Sequence, residues 1–324
     1  MICQKLIVLS LSLVVGATAF AQDDMLSMLD STSAKKTHEK VITTFKDQKI
    51  INTQTTETVK AGTMSFNINH RFGNIGTESN GGAHTLYGLD NISDVRFGFD
   101  FGVTNNFTIG IGRSKQDELI DGFVKYRLMT QTQDNHIPFS LALYCDASYN
   151  PQTASVFYNG MAEPTETNPF TQSEVHRFSY TTQLILARKF GWRFSLELLP
   201  TYQHRNFVLG SINVDNDAVE SNDLMSFGGG FRFKFTKRLA FICDYFYTIS
   251  PYRTGNTANP YYMPLAVGFE IETGGHVFHL NFTNSPGIIE NNFIPNTQDS
   301  WLKGGFKFGF NISRVFNVTH PKKK

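Results

Sequence analysis

Leu265-Ala-Val-Gly-Phe-Glu-Ile-Glu-Thr-Gly-Gly-His-Val-Phe-His-Leu-Asn-Phe-Thr-Asn284 is a hairpin written in a period of two. Gly274-Gly275 offers the two positive-φ residues of a two-residue type I′ turn, which would set Thr273 opposite His276. Counting outward, Ile271 meets Phe278, Phe269 meets Leu280 and Val267 meets Phe282, all on one face. Glu272 with Val277, Glu270 with His279, Gly268 with Asn281 and Ala266 with Thr283 make the other. One face is apolar along its whole length, and the other is small, polar or charged. The rest of the chain decides whether the apolar face meets a protein core or lipid.

The same period continues on both sides. From Gly62 onward the alternation predicts strands at about 63–72, 93–103, 107–114, 120–129, 138–149, 175–189, 193–205, 222–235 and 239–249, then the hairpin, then 303–316. In the second, Val95, Phe97, Phe99, Phe101 and Val103 alternate with Asp94, Arg96, Gly98, Asp100 and Gly102. The turns at 104–106, 190–192 and 236–238 set Phe101 against Ile109, Leu186 against Leu196 and Phe233 against Phe241. Three separate turns thus agree on the outer face. The other connections (73–92, 150–174, 206–221, 250–261 and 285–302) are longer, apart from 115–119.

Short turns at one end and long loops at the other, with an even strand count, describe an all-β, transmembrane antiparallel up-and-down β-barrel in the outer membrane. Twelve strands fit best, with ten or fourteen as alternatives. A soluble sandwich needs polar exposed faces, whereas here aromatics cover one whole side.

Composition agrees. The 324 residues hold 30 Phe, 12 Tyr and 26 Gly, yet no stretch approaches the ~20 apolar residues of a membrane helix. Lys5, the apolar run Leu6 to Val15 and Ala19-Phe20-Ala21 read as a cleaved signal peptide over 1–21. Residues 22–59 are a polar lead-in or an internal plug, with a short helical turn at Asp24 to Leu29 and some strand character from Val41 to Ile51. The barrel is assigned to 60–318 and a basic tail to 319–324. Without Lys5 the chain carries 28 basic and 28 acidic residues, a balance that gives no support for nucleic-acid binding. Cys145 and Cys243 fall on the outer face four strands apart, too far to bond.

Twelve strands tilted ~40° enclose a backbone diameter of ~24 Å and, after side chains, a lumen of ~10 Å. The candidate lumen-lining residues are Arg96, Asp100, Arg127, Asp146, Glu197, Arg232, Asp244, Glu270 and His279. Arg71, Asp94, Lys125, Lys234, Glu272 and Lys307 stand on the same side. Either these groups line a water-filled path or they pair and close it; nearly equal numbers of each sign favour pairing. Gly98, Gly102, Gly110 and Gly112 also face inward, as curvature relief or as a strip on which residues 41–55 dock.

Catalytic and metal signatures are weak. Gly110-Ile-Gly-Arg-Ser-Lys115 lacks the third glycine of a dinucleotide loop and lies within a strand. His276 and His279 point to opposite faces and cannot chelate together. Asp215, Asp217, Glu220 and Asp223 form an acidic loop without the glycine of an EF-hand. His176 with Ser179, and His204, are the rim candidates for hydrolysis, neither with an evident orienting partner. We therefore expect no enzyme, no catalytic or metal-ligating residue and no cofactor.

Thr85-Leu-Tyr-Gly-Leu-Asp90, Val95-Arg-Phe-Gly98, Gly110-Ile-Gly-Arg-Ser114, Asp121-Gly-Phe-Val-Lys-Tyr-Arg127, Glu272-Thr-Gly-Gly-His-Val-Phe278, Thr283-Asn-Ser285 and Gly309-Phe-Asn-Ile-Ser-Arg-Val-Phe316 carry a resemblance. Through them the chain, from about Val41 to Phe316, resembles a family of Bacteroidota outer-membrane β-barrels of unknown function. The resemblance implies fold and location but supplies no substrate. The expected role is a channel or transporter for small polar solutes, with loops 150–174 and 250–261 as gates. A non-conducting docking or assembly platform is the alternative, with an outer-membrane hydrolase behind both. The expected partners are the lipid bilayer with its lipopolysaccharide, a small polar solute and a periplasmic protein.

Overall fold

A computed structural model describes residues 38–76, 81–159 and 171–318. The expected signal peptide, the helical turn at Asp24 to Leu29 and the basic tail lie outside the described residues. Twelve strands follow one another: β1 (Thr63–Asn74), β2 (Ile92–Thr104), β3 (Phe107–Ser114), β4 (Ile120–Met129), β5 (Ser140–Tyr149), β6 (Phe178–Phe190), β7 (Phe194–Arg205), β8 (Asp223–Lys234), β9 (Leu239–Ile249), β10 (Leu265–Glu272), β11 (His276–Thr283) and β12 (Lys307–Asn317). Each pairs with its neighbours in sequence, and β12 pairs antiparallel with β1, so the sheet closes and no edge is left.

Pleat alternation fixes which side chains face out. Phe97, Phe99 and Phe101 on β2 and Ile109 and Ile111 on β3 are exposed, while Arg96 and Asp100 between them are buried. Phe194, Phe231, Phe241 and Phe269 run around four neighbouring strands with centroids 5.8–6.0 Å apart. Cys145 and Cys243 are free thiols. A cation on this outer wall loses its hydration when the wall is in lipid. Phe99→Lys is expected to cost about 2–4 kcal/mol, read as a lowered midpoint for the loss of the folded band in a heat-modifiability gel. An unchanged midpoint would mean that the residue faces water.

The founding hairpin has the expected register from Ala266–Thr283 to Glu272–Val277. Its turn differs, because Gly274 and Gly275 are absent from the positive-φ residues. The register is held by alternation on both strands and by β9 alongside, so it does not depend on a type I′ turn. A second correction lies between β6 and β7, where Leu186 faces Leu198 and Leu196 faces Arg188. The loop there is Gly191-Trp192-Arg193, with Gly191 at φ +71°. A slip of two residues leaves every side chain on its own face, so the periodicity cannot detect it. Val175 and His176 belong to a 3-10 turn ahead of β6, and Lys303 to another ahead of β12.

Candidate functional site

The barrel interior is occupied from both ends. From the short-turn end, residues 38–59 run inward. Their backbone makes only single bridges, Lys40 with Thr132 and Lys49 with Gln54, rather than the strand suggested for Val41 to Ile51. Residues 50–56 are buried throughout, although five of the seven are Asn, Thr or Gln. A polar segment is buried because the wall behind it is polar. The Asp244 carboxylate accepts the backbone N–H groups of Ile51, Asn52 and Thr53 at 3.1, 2.7 and 3.2 Å. Asn311 Nδ2 donates to the Ile51 carbonyl at 3.0 Å, and Arg71 donates to the Asn52 side chain at 3.3 Å. Lys125, with no exposed surface, donates to the carbonyl of Gln48 at 3.1 Å. Arg127 lies 3.6 Å from Glu57, and Asp100 accepts from Gln48 Nε2 at 2.8 Å. One small apolar cluster joins Phe45, Ile50 and Ile51 to Ala187, Ile242 and Ala266.

From the long-loop end, the β11–β12 connection folds inward, and its helix Glu290–Asn296 is almost wholly buried. Ile288 N–H donates to Asp94 at 3.1 Å, and Asn291 Nδ2 donates to the Ser179 hydroxyl at 3.0 Å. Asn292 donates to Asp117 at 2.8 Å; burial pushes the Asp117 carboxyl above its usual range, against that hydrogen bond. Arg253 donates to the Pro295 carbonyl at 3.0 Å and ties the helix to loop 250–264. The two inserts meet where Lys49 lies 3.6 Å from Glu290. A cavity of about 30 Å³, lined by Asn67, Arg96, Asp100 and His279 among others, remains beside the plug. That holds about one water molecule.

Of the nine candidate lumen residues, eight are buried inside the barrel and Arg127 is half-buried where it meets the plug. Asp100, Arg127 and Asp244 engage the plug, and the pairs among the others run along the wall. Arg96 reaches Asp121 two strands away, with Nε 3.0 Å from Oδ1. Arg232 on β8 binds Glu270 and Glu272 on β10, and Lys46 of the plug joins Glu272 at 2.9 Å. His279 lies 3.4 Å from Glu270, and Asp146 accepts from Ser148 at 2.8 Å. Glu197 is buried on β7, beside the plug tip.

The glycine strip divides. A Cβ on Gly102 would stand 2.0 Å from the Lys60 carbonyl, so there the chain leaving the plug does pack on glycine. Gly98 and Gly112 instead make room for the Arg96 guanidinium, and Gly110 for the Phe123 ring. The glycine under the plug tip is Gly230, whose Cβ would meet Ile50 at 2.6 Å. Of the loops expected as gates, 250–261 clamps the inserted helix through Arg253, and residues 160–170 of 150–174 lie outside the described residues. The signal for the true insert was Ile288, Ile289, Phe293 and Ile294, four large apolar residues in a connection that would otherwise sit in water.

Among the described residues the rim candidates are engaged elsewhere: His204 Nδ1 lies 2.7 Å from Asp223, His176 Nδ1 3.3 Å from the Tyr158 hydroxyl, and Ser179 is bound by Asn291. The acidic loop disperses. Glu220 binds Arg205 and Arg253, while hydrogen bonds from Thr257 hold the Asp215 carboxyl below its usual range. No cluster able to hold a metal occurs among the described residues.

The profile of a family described as a membrane bound beta barrel domain (DUF5777) matches residues 45–316. The chain belongs to that family. The DUF5777 match starts inside the plug, so plug and barrel fall within one family domain. Among solved structures, the KdgM porin in complex with disordered oligogalacturonate has a TM-score of 0.45 at 9% identity, over 78% of this chain and 99% of that one. The NanC porin gives 0.44 at 8%, over 78% and 98%. The COG4313 outer membrane channel from Pseudomonas putida F1 gives 0.41 at 11%, over 81% and 98%. No curated protein matches the chain.

Proposed function

We propose that the protein is an outer-membrane channel for small polar solutes, closed in this conformation by residues 44–57. The observation that carries the reading is the polar seating of the plug. Three backbone N–H groups on Asp244, two carbonyls held by Asn311 and Lys125, and a Ser195 hydroxyl on the Thr44 carbonyl seat it beside one small apolar cluster. Water competes for every one of these groups, so the net gain is about 1 kcal/mol for a bond between neutral groups and about 1.5–3 kcal/mol for one to the Asp244 carboxylate. A wall meant to stay shut reaches the same closure with dry packing and less desolvation. Behind the plug the wall is already hydrophilic, as a water-filled path requires. Arg96, Asp100, Arg127, Arg232 and Glu270 are then the side chains that set its ion selectivity.

The alternative, a non-conducting docking or assembly barrel, is favoured by the second insert, since removal of one segment leaves the other in place. Planar-bilayer recording separates the two. The full-length chain is expected to be mostly silent, and deletion of 38–57 to give steps at least about fivefold more frequent or larger. Equal silence in both proteins would leave the non-conducting reading standing.

A further inference from the structure

We infer that a bay in the β6–β10 wall is a binding site for short peptides, and that residues 50–53 occupy it as an internal stand-in for the transported solute. The inference rests on the channel reading and names its solute class. Ala187, Glu197, Gly230, Asp244 and Ala266 lie in one cross-strand row over β6, β7, β8, β9 and β10. The three small residues keep the wall low between and beside the two carboxylates. Gly230 is where that depth is used: an added Cβ would sit 2.6 Å from Ile50 Cδ1 and 3.2 Å from Thr53 Oγ1. The bay thus takes an aliphatic side chain on a polar wall.

Main chain is recognised there in both polarities. Asp244 collects three successive N–H groups, and Asn311 Nδ2 donates to the Ile51 carbonyl. Successive amide N–H groups with an aliphatic branch at the α-carbon are the chemistry of a peptide. A sugar has neither, and an inorganic ion has no length. In a free Ile-Asn-Thr tripeptide the first of these three nitrogens, that of Ile51, is the terminal ammonium, so the ammonium and the two amide N–H groups all fall on the Asp244 carboxylate.

The test uses the full-length protein in detergent and reads trypsin cleavage after Lys49, which is half-buried in the seated plug and is followed by the buried tip 50–56. Millimolar Ile-Asn-Thr, itself resistant to trypsin, is expected to speed that cleavage at least fivefold by displacing the plug. Its N-acetyl form is expected to need about tenfold more, and raffinose at the same concentration to have no effect. An equal effect of raffinose would overturn the peptide assignment. So would inert peptides if Asp244→Ala, tested alongside, is cleaved rapidly, since the plug reading would then survive without its solute class. An Asp244→Ala protein as well shielded as wild type would overturn both.

Discussion

Asp244→Ala is expected to raise the population of the unplugged barrel about a hundredfold. The carboxylate holds the backbone N–H groups of Ile51, Asn52 and Thr53 and the Asn52 side chain, and nothing else on the wall grips the tip so heavily. Hydrogen bonds to a charged acceptor are each worth about 1.5–3 kcal/mol net, but water admitted to the freed amides recovers part of that. A loss of ~3 kcal/mol is a reasonable total, and each 1.4 kcal/mol is a factor of ten in the equilibrium. The apolar contacts of Phe45, Ile50 and Ile51 remain, so the segment exchanges rather than leaving for good. Single-channel recording should show openings about a hundred times more often, with unchanged unitary conductance. Openings as rare as in wild type would mean that the plug is held elsewhere.

Asp121→Ala should cost the barrel about 3 kcal/mol of stability. Arg96 lies across Gly98 and Gly112 to reach Asp121, and both partners are buried. Removing the acid strands a guanidinium in a desolvated place, which costs 3–5 kcal/mol in comparable buried pairs. Asp100 is near enough to act on Arg96 electrostatically, which keeps the value at the low end. Urea titration of the detergent-solubilised protein, followed by tryptophan fluorescence, would register the shift. A midpoint equal to wild type would show that water or Asp100 already serves the cation.

The wall was legible in the sequence because one period of two carries both strand and face. Three strands, β3, β4 and β9, have the expected bounds, since each is flanked by a short, polar or glycine-bearing turn. Leu186 shows the limit of that signal: pairing with Leu196 or Leu198 satisfies the same alternation, and only the turn geometry distinguishes them. Side-chain reach was illegible for a different reason. Arg96 and Asp121 sit on strands that do not touch, and the two intervening glycines looked like places for the plug instead of a bed for the guanidinium. Burial of the helix Glu290–Asn296 is not carried by the period of two, which ends with β11; only Ile288, Ile289, Phe293 and Ile294 mark it.

The seating of Ile51 and Asn52 also bears on assembly. Their partners Asn311 and Arg71 stand on β12 and β1, the two strands whose pairing closes the cylinder. The plug tip therefore has no complete berth until β12 has paired with β1. Sealing of the lumen is thus tied to closure of the wall, and the strand that completes one completes the other.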